Sequence, residues 1–318
     1  MSRNITSKHF LINDHYLTDG GLETALLFHE RLPLPHFAAF HLLSSPELRK
    51  ILDAYYIKYL ELAKCYGTGF ILESATWRAN PDWGYKLGYS QKELVKANQI
   101  AIEQMKSLRS EYSDEIDSIL ISGCVGPRYD GYVAAVSENW EDAKIYHSRQ
   151  IKTFRDSGVD MVSGLTMTNV EEAMGIVMAA KDVRVPVVIS FTVEVDGHLP
   201  DGKSLFEAVK TIDQASEDYP LYYMINCAHP VHFADRLLEY YQQAYRIQGI
   251  RANASCKSHA ELDEATELDT GNKKQLAQWY EILKSRHPHI KIFGGCCGTD
   301  ISHMEEICSA VISKNNQL

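Results

Sequence analysis

Short apolar runs alternate with longer amphipathic stretches along most of the chain. This alternation predicts β-strands separated by α-helices. Strands that alternate regularly with helices are parallel and are joined by helical crossovers. The candidate strands are Tyr16–Asp19, Gly69–Glu73, Ser118–Gly123, Met161–Leu165, Pro186–Thr192, Leu221–Cys227, Gly249–Asn253 and Ile290–Gly294.

Capping residues mark where several of the intervening helices begin. Ser45 precedes a proline, which is the preferred arrangement at a helix N-terminus. Ser90 and Glu93 have the spacing of a capping box. Further predicted starts are Ser137, Thr168–Asn169, Ser204 and Thr299–Asp300.

Eight strand–helix units in 318 residues predict an α/β fold, a (β/α)8 TIM barrel. An open dinucleotide-binding sheet is disfavoured, because Gly20-Gly21 is too short for the glycine-rich motif that follows its first strand. No proline-rich or serine-rich linker divides the chain. We therefore predict a single domain over residues 1–318.

Composition narrows the classes of function. The chain is 45% hydrophobic and 23% charged, which is typical of a globular protein with a sizeable core. Its net charge of -10 argues against nucleic acid and anionic membranes as partners. The sequence has no apolar stretch long enough to span a membrane, and no secretory signal at its N-terminus. An odd number of cysteines, seven, does not suggest a disulfide scaffold, so we predict a reducing, cytoplasmic location. The oligomeric state is left open.

Three of the cysteines follow predicted strands. Cys227 ends the sixth strand, while Cys296 and Cys297 lie between glycines after the eighth. In a barrel these strand ends lie on the rim that carries active sites. Three thiolates with a fourth position open are typical of a catalytic zinc site. Free cysteine is also often simply buried, which is the alternative interpretation. We predict that these three residues bind Zn²⁺.

At these residues the chain resembles the zinc-dependent homocysteine S-methyltransferase family. The shared motifs are Asp19-Gly20-Gly21 after the first strand, Asn226-Cys227 after the sixth and Gly294-Gly295-Cys296-Cys297-Gly298 after the eighth. The likeness extends over essentially the whole chain. It implies that Cys227, Cys296 and Cys297 hold zinc and form the catalytic centre, where a methyl group passes from a small donor to the thiol of homocysteine and gives methionine.

The resemblance also implies a substrate pocket. Asp19 would hold the amino group of the acceptor, or it caps the following turn. Glu23 would add charge there, or it begins the next helix. Trp77 would stabilise an onium donor by a cation–π contact, or it packs on the rim. Asn226 would bind substrate or orient its loop.

The donor is predicted from the length of the chain. The residues after the zinc motif leave no room for a domain that binds folate, cobalamin or adenosylmethionine. A freely diffusing onium compound is therefore expected, with S-methylmethionine favoured and betaine second.

Two segments depart from the family. Leu165 stands where relatives carry a glutamate that binds the amino group of homocysteine. Either Glu23 or Glu194 compensates, or the acceptor is not homocysteine. The segment Arg251-Ala252-Asn253-Ala254-Ser255 departs from the tyrosine-proline-asparagine stretch of relatives, so recognition of the donor is also expected to differ. The alternatives are therefore methyl transfer to, or dealkylation of, a different small sulfur compound, or a zinc-binding barrel without catalysis. The acidic run 261–269 is predicted to be a solvated loop.

Overall fold

The protein is described here by a computed structural model that covers residues 10–133, 139–240 and 242–312. The predicted helix start at Ser137 lies outside these residues, as does the N-terminal stretch in which no secretory signal is expected. No helix within the described ranges is both long and apolar enough to cross a membrane.

Eight parallel strands close into a barrel in chain order within the described residues, which confirms the predicted fold. The register of the closing pair aligns Tyr16 with Ile292 and Leu17 with Phe293. The strands are β1 (Tyr16–Leu17), β2 (Gly69–Glu73), β3 (Ile119–Val125), β4 (Met161–Met167), β5 (Val187–Phe191), β6 (Tyr223–Asn226), β7 (Ile247–Ala252) and β8 (Ile292–Gly295).

Helices follow the strands and cover the outside of the barrel. The α-helices are α1 (Leu22–Thr24), α2 (Pro46–Tyr66), α3 (Pro81–Lys86), α4 (Gln91–Tyr112), α5 (Trp140–Asp156), α6 (Val170–Val183), α7 (Leu205–Ser216), α8 (Ala234–Glu239), α9 (His259–Asp263), α10 (Lys273–Arg286) and α11 (Ile301–Val311). A π-helix at Ala25–His29 continues α1, and 3₁₀ turns occur at Pro35–Phe37, Ala39–Ser44, Pro230–His232 and Gln243–Arg246.

The predicted helix starts in the described part of the chain are confirmed. The side chain of Ser45 accepts a hydrogen bond from the backbone N–H of Leu48 at the start of α2. Capping boxes begin α4 at Ser90 and α7 at Ser204. Asn169 and Asp300 are the N-caps of α6 and α11. These caps satisfy N–H groups that have no partner inside a helix.

β2 has the predicted bounds, and the ends of the other strands differ from the predicted ones by at most two residues. β1 ends at Leu17, so Asp19 lies in the following loop and not in the strand. β6 ends at Asn226, so Cys227 is the first residue beyond that strand. Hydrophobicity fixes which segments are buried, but hydrogen bonding between neighbouring strands fixes where each one ends.

Candidate metal centre and substrate cavity

The three predicted ligand cysteines come together at the carboxyl-terminal rim of the barrel. Their sulfur atoms all lie within 4.8 Å of one another, and no other such group of potential ligands occurs among the described residues. The Sγ atoms of Cys227 and Cys297 are 3.6 Å apart. We call Cys227, Cys296 and Cys297 the thiol cluster.

Cys227 is held in an unusual backbone conformation. Its φ of 57° is in the left-handed region, which costs a residue other than glycine on the order of 1–3 kcal/mol. Three side chains bind its carbonyl oxygen and offset this cost. Asn253 donates at 3.0 Å, the Nε2 of His259 lies at 2.8 Å and the hydroxyl of Thr192 at 3.3 Å. The conformation turns the chain sharply where β6 ends and directs the Cys227 thiol into the cluster.

The cysteine pair after β8 is fixed by backbone contacts with β7. The N–H of Cys296 donates to the carbonyl of Ala252 at 2.8 Å, and the carbonyl of Cys297 accepts from Ala254 at 3.0 Å. Gly21 approaches this segment so closely that a Cβ there would lie 2.5 Å from the carbonyl oxygen of Cys296. The loop after β1 that contains the glycine pair therefore packs directly against the loop after β8 that contains the cysteine pair.

The donor set fits zinc. With a Zn–S bond of about 2.3 Å, two tetrahedral thiolate ligands lie about 3.8 Å apart. The 3.6 Å separation of the Cys227 and Cys297 sulfurs is close to that value. Hydrogen bonds with Cys227 and Cys297 lower the pKa of the Cys296 thiol, and the positive charge of Arg251 acts in the same direction. Hydrogen bonds within the cluster raise the pKa of the Cys227 and Cys297 thiols, so these two thiols would lose their protons when a divalent cation binds.

Tyr132, which the sequence did not single out, closes one side of the thiol cluster. Its hydroxyl lies 3.3 Å from the Cys227 sulfur and 3.7 Å from that of Cys297. Its ring stacks on His259, with the ring centroids 4.1 Å apart. Tyr132 lies in the loop after β3, and a tyrosine in a loop carries no signal that distinguishes it from a surface residue.

A cavity of about 380 Å³ opens beside the thiol cluster. All four residues predicted to bind substrate line it: Asp19, Glu23, Trp77 and Asn226. Leu165, the residue expected to depart from the family, lines it as well and is buried. The size is suitable for a small substrate beside the thiols.

Asp19 is engaged by protein groups. Its Oδ1 accepts a 2.7 Å hydrogen bond from the Nη2 of Arg251, and its Oδ2 accepts one of 3.1 Å from the Tyr55 hydroxyl. Asp19 is 3% exposed and Arg251 6% exposed, so this is a buried ion pair. Burial opposes the charge on Arg251, but the carboxylates of Asp19 and Glu73 outweigh it and raise its pKa.

Two further acids, Glu23 and Glu73, line the cavity close enough to Asp19 to interact with its charge. Enclosure by the cavity raises the pKa of Glu23 to about 7. Burial also raises the pKa of Glu73, which ends β2 and was not recognised in the sequence as a site residue. We call Asp19, Glu23, Glu73 and Arg251 the charged cluster.

Trp77 and Asn226 both make contacts that fix their orientation. The indole N–H of Trp77 donates to the carbonyl of Leu165 at 3.2 Å, and the guanidinium of Arg78 lies 4.6 Å from its ring centroid. The amide of Asn226 donates to the Thr166 hydroxyl at 2.7 Å and accepts from the Ser190 hydroxyl at 2.6 Å. It also lies 3.8 Å from the Cys296 sulfur. Asn226 therefore ties β4 and β5 to the thiol cluster.

Two expectations from the sequence need correction. Glu194 cannot replace the missing glutamate in the wall, because its carboxylate lies 3.1 Å from the Nδ1 of His259 and outside the described cavity lining. The acidic run 261–269 is exposed or half-buried, as predicted, but it is more than a solvated loop, because six of its residues line the cavity. These are Leu262, Asp263, Ala265, Glu267, Leu268 and Asp269.

Comparisons with known proteins agree with this architecture. The chain is 24% identical to a selenocysteine Se-methyltransferase of Brassica oleracea var. italica, over 94% of this chain and 90% of the relative. It is 23% identical to homocysteine S-methyltransferase 2 of Arabidopsis thaliana, over 94% and 93% of the two chains.

The fold agrees with a solved structure. The metallated form of the homocysteine methyltransferase MmuM from Escherichia coli superposes with a TM-score of 0.74 at 19% identity, over 93% of this chain and 96% of that one. The family model for homocysteine S-methyltransferases matches residues 16–311, a span that includes every strand of the barrel and all three cysteines. The chain belongs to the homocysteine S-methyltransferase family.

Proposed function

We propose that this protein is a zinc-dependent S-methyltransferase that moves a methyl group from a small onium donor to the thiol of homocysteine and forms methionine. S-methylmethionine is the favoured donor and betaine the second. The observation that carries the proposal is the convergence of three thiols within 4.8 Å beside a cavity of about 380 Å³. Membership of a methyltransferase family supports the reaction class.

Cys227, Cys296 and Cys297 would hold the metal. Zinc bound there would keep the acceptor thiol deprotonated at neutral pH, where a free thiol is only a few per cent thiolate. The thiol proton leaves to solvent before transfer. The acceptor sulfur then forms a bond to the methyl carbon as the bond between that carbon and the donor sulfur or nitrogen breaks. The leaving group is a neutral thioether or amine, so it needs no proton.

The residues of the cavity position the reactants for this displacement. Tyr132 lines the cavity, and its hydroxyl lies against the thiol cluster, 3.3 Å from the Cys227 sulfur. Trp77 presents an aromatic ring to the cavity, and a cation–π contact with an onium group contributes roughly 0.5–2 kcal/mol. Holding two reactants in line can lower the barrier of such a reaction by about 7–11 kcal/mol.

The direct test is product detection by mass spectrometry. Reduced, zinc-loaded protein is mixed with carbon-13-labelled homocysteine and S-methylmethionine, and in a second arm with betaine. The label separates methionine made from the acceptor from methionine left over by the donor. Labelled methionine above a Cys297→Ser control is the expected result.

A second candidate is methyl transfer to a different small thiol or selenol. Leu165 cannot bind an ammonium group, and Asp19 is already paired with Arg251. A relative named for Se-methylation of selenocysteine supports acceptor variation within the family. Stoichiometric zinc without labelled methionine would favour this candidate, and a lack of product with every thiol and selenol would favour a zinc-binding barrel without catalysis.

A further inference from the structure

Arg251 is a buried cation next to the thiol cluster. It is the last residue but one of β7. Its Nε donates a 3.2 Å hydrogen bond to the carbonyl of Gly295, the residue that precedes Cys296. Its Nη2 binds Asp19, while its Nη1 has no hydrogen-bond partner among the described residues. The side chain lines the cavity. A buried guanidinium nitrogen without a partner is costly, because it has lost its hydration.

The acids that line the cavity differ in how far they are neutralised by protein groups or by protonation. Asp19 accepts one hydrogen bond at each carboxylate oxygen, from Arg251 and from Tyr55, so its charge is already balanced within the protein. Glu23 is partly protonated at neutral pH, because its pKa is raised to about 7. Burial raises the pKa of Glu73 as well. The remaining acids of the lining belong to the segments after β3 and β7: Asp130, Asp263, Glu267 and Asp269. Arg251 is therefore the cation that lies at a strand end beside the thiols.

Arg78 is the other arginine in the described cavity wall. Its guanidinium lies over two aromatic rings, 4.6 Å from the centroid of Trp77 and 3.6 Å from that of Trp83. It belongs to the loop after β2, whereas Arg251 is bonded directly to the backbone that leads into the cysteine pair. Arg251 is therefore the better placed of the two to reach an acceptor whose sulfur is at the thiol cluster.

We propose that Arg251 binds the carboxylate of the acceptor, so that this cavity selects a thiol acid and the amino group of the acceptor is dispensable. The proposal rests on the proposed function, since it takes the cavity as the acceptor site. Guanidinium and carboxylate match in charge and hydrogen-bond geometry, and such charge-assisted bonds are among the strongest that a pocket can offer. Arg251 is then the residue that determines specificity.

Three thiols with the same three-atom spacing separate the contributions of the two charged groups. Homocysteine carries both groups, 4-mercaptobutanoate carries only the carboxylate, and 3-mercaptopropylamine carries only the ammonium. Their binding to the zinc-loaded protein is measured by calorimetry, without any methyl donor. We expect 4-mercaptobutanoate to bind within a fewfold of homocysteine, and the amine to bind about 10- to 100-fold more weakly.

The variant Arg251→Gln removes the charge and keeps an amide donor for Gly295 and Asp19. It should abolish the preference for the acid over the amine, whereas a purely structural role would weaken all three thiols alike. Arg251→Lys should restore part of the preference. Arg246→Gln is the matched control. Arg246 also forms an ion pair, at 2.9 Å from Asp213, but it is half-buried and lies outside the cavity lining. Arg78→Gln tests the other arginine.

The proposal is overturned if the amine binds as well as the acid, or if all three thiols fail to bind. It is also overturned if the preference survives in Arg251→Gln or disappears only in Arg78→Gln. The comparison on the unaltered protein decides the matter even if Arg251→Gln does not fold. Acid-selective binding without methyl transfer to any thiol would sink the proposed function and leave this inference standing.

Discussion

The thiol cluster and the charged cluster share one cavity but follow the family to different degrees. The thiol cluster keeps the Asn226-Cys227 and Gly-Gly-Cys-Cys-Gly motifs, and its sulfurs lie within 4.8 Å of one another. The charged cluster includes Arg251, from one of the two segments expected to depart from the family, and Leu165, from the other, lines the same cavity. The chemistry of methyl transfer is therefore separable from recognition of the acceptor.

The physical reason lies in what each cluster must satisfy. A metal site requires three sulfurs at fixed separations, and the strained backbone at Cys227 and the close approach of Gly21 accompany that placement. A recognition site requires only that its charges be balanced when substrate is bound. The charges of Arg251 and Asp19 balance each other, so the folded protein does not require a substrate of one particular charge.

The largest difference between the two clusters should appear when a thiol is removed. Cys296→Ser should lose most bound zinc and lower turnover at least about 30-fold, because a thiol without zinc is only a few per cent thiolate at neutral pH. The barrel should still fold. Zinc per chain is measured by mass spectrometry, and folding by circular dichroism. Cys65→Ser, an exposed cysteine on α2, is the control and should keep its zinc. Full zinc and full turnover in Cys296→Ser would contradict the assignment.

Breaking the charged cluster should instead reduce stability. Asp19→Asn leaves the buried guanidinium of Arg251 without its counter-charge, which costs roughly 3–5 kcal/mol of unfolding free energy. Urea denaturation measures the change at saturating zinc. Asp213→Asn, which breaks the more exposed pair with Arg246, should cost only about 1 kcal/mol. Equal losses in the two variants would mean that the Asp19–Arg251 pair has no special role.

The support of the thiol cluster can be weakened without touching a sulfur. His259→Ala removes the group that lies 2.8 Å from the carbonyl oxygen of Cys227, and we expect about 10-fold weaker zinc binding. Competition with a chromophoric chelator measures the affinity. The control is His232→Ala, because His232 contacts the carbonyl of Cys256 in the same way but away from the cluster. Unchanged zinc affinity in His259→Ala would show that Asn253 and Thr192 hold Cys227 without help.

The smallest expected effect is the pH dependence from Glu23. Its pKa is raised from 4.5 in the unfolded chain to about 7 in the folded protein. Between these values the folded state binds more protons, so its stability falls as pH rises through that window. Glu23→Gln should remove this contribution, about 1–2 kcal/mol after allowance for partial exposure. Denaturation at pH 5 and pH 8 gives the difference, and parallel pH profiles of the two proteins would exclude a raised pKa.

Much of the fold was predictable because its signals are local. The apolar runs identified all eight strands, and Ser45, Ser90 and Ser204 marked helix starts that the structure confirms. The ends of the strands were less accurate, since they depend on the neighbouring strand. β1, for example, stops two residues before Asp19 because only Tyr16 and Leu17 pair with Gly69 and Phe70.

The candidate site was predictable only in part, for the same reason. The cysteines stood out because an uncommon residue type follows two strands whose ends must share one rim. Tyr132 and His259 lie in segments after other strands, and their stacking depends on how those loops fold over the rim. The pairing of Asp19 with Arg251 joins residues 232 positions apart, and neither residue by itself indicates the other.

The sequence by itself determined the barrel, the three thiols at its rim and the family to which they belong, because periodicity and motif spacing are local properties of a chain. The tertiary structure alone decided which charges meet inside the cavity. Only closure of the barrel brings the end of β7 against the loop after β1, and burial then makes Arg251 neutralise Asp19. The proposed recognition of the acceptor depends on this contact between Arg251 and Asp19, and no local pattern in the sequence indicates it.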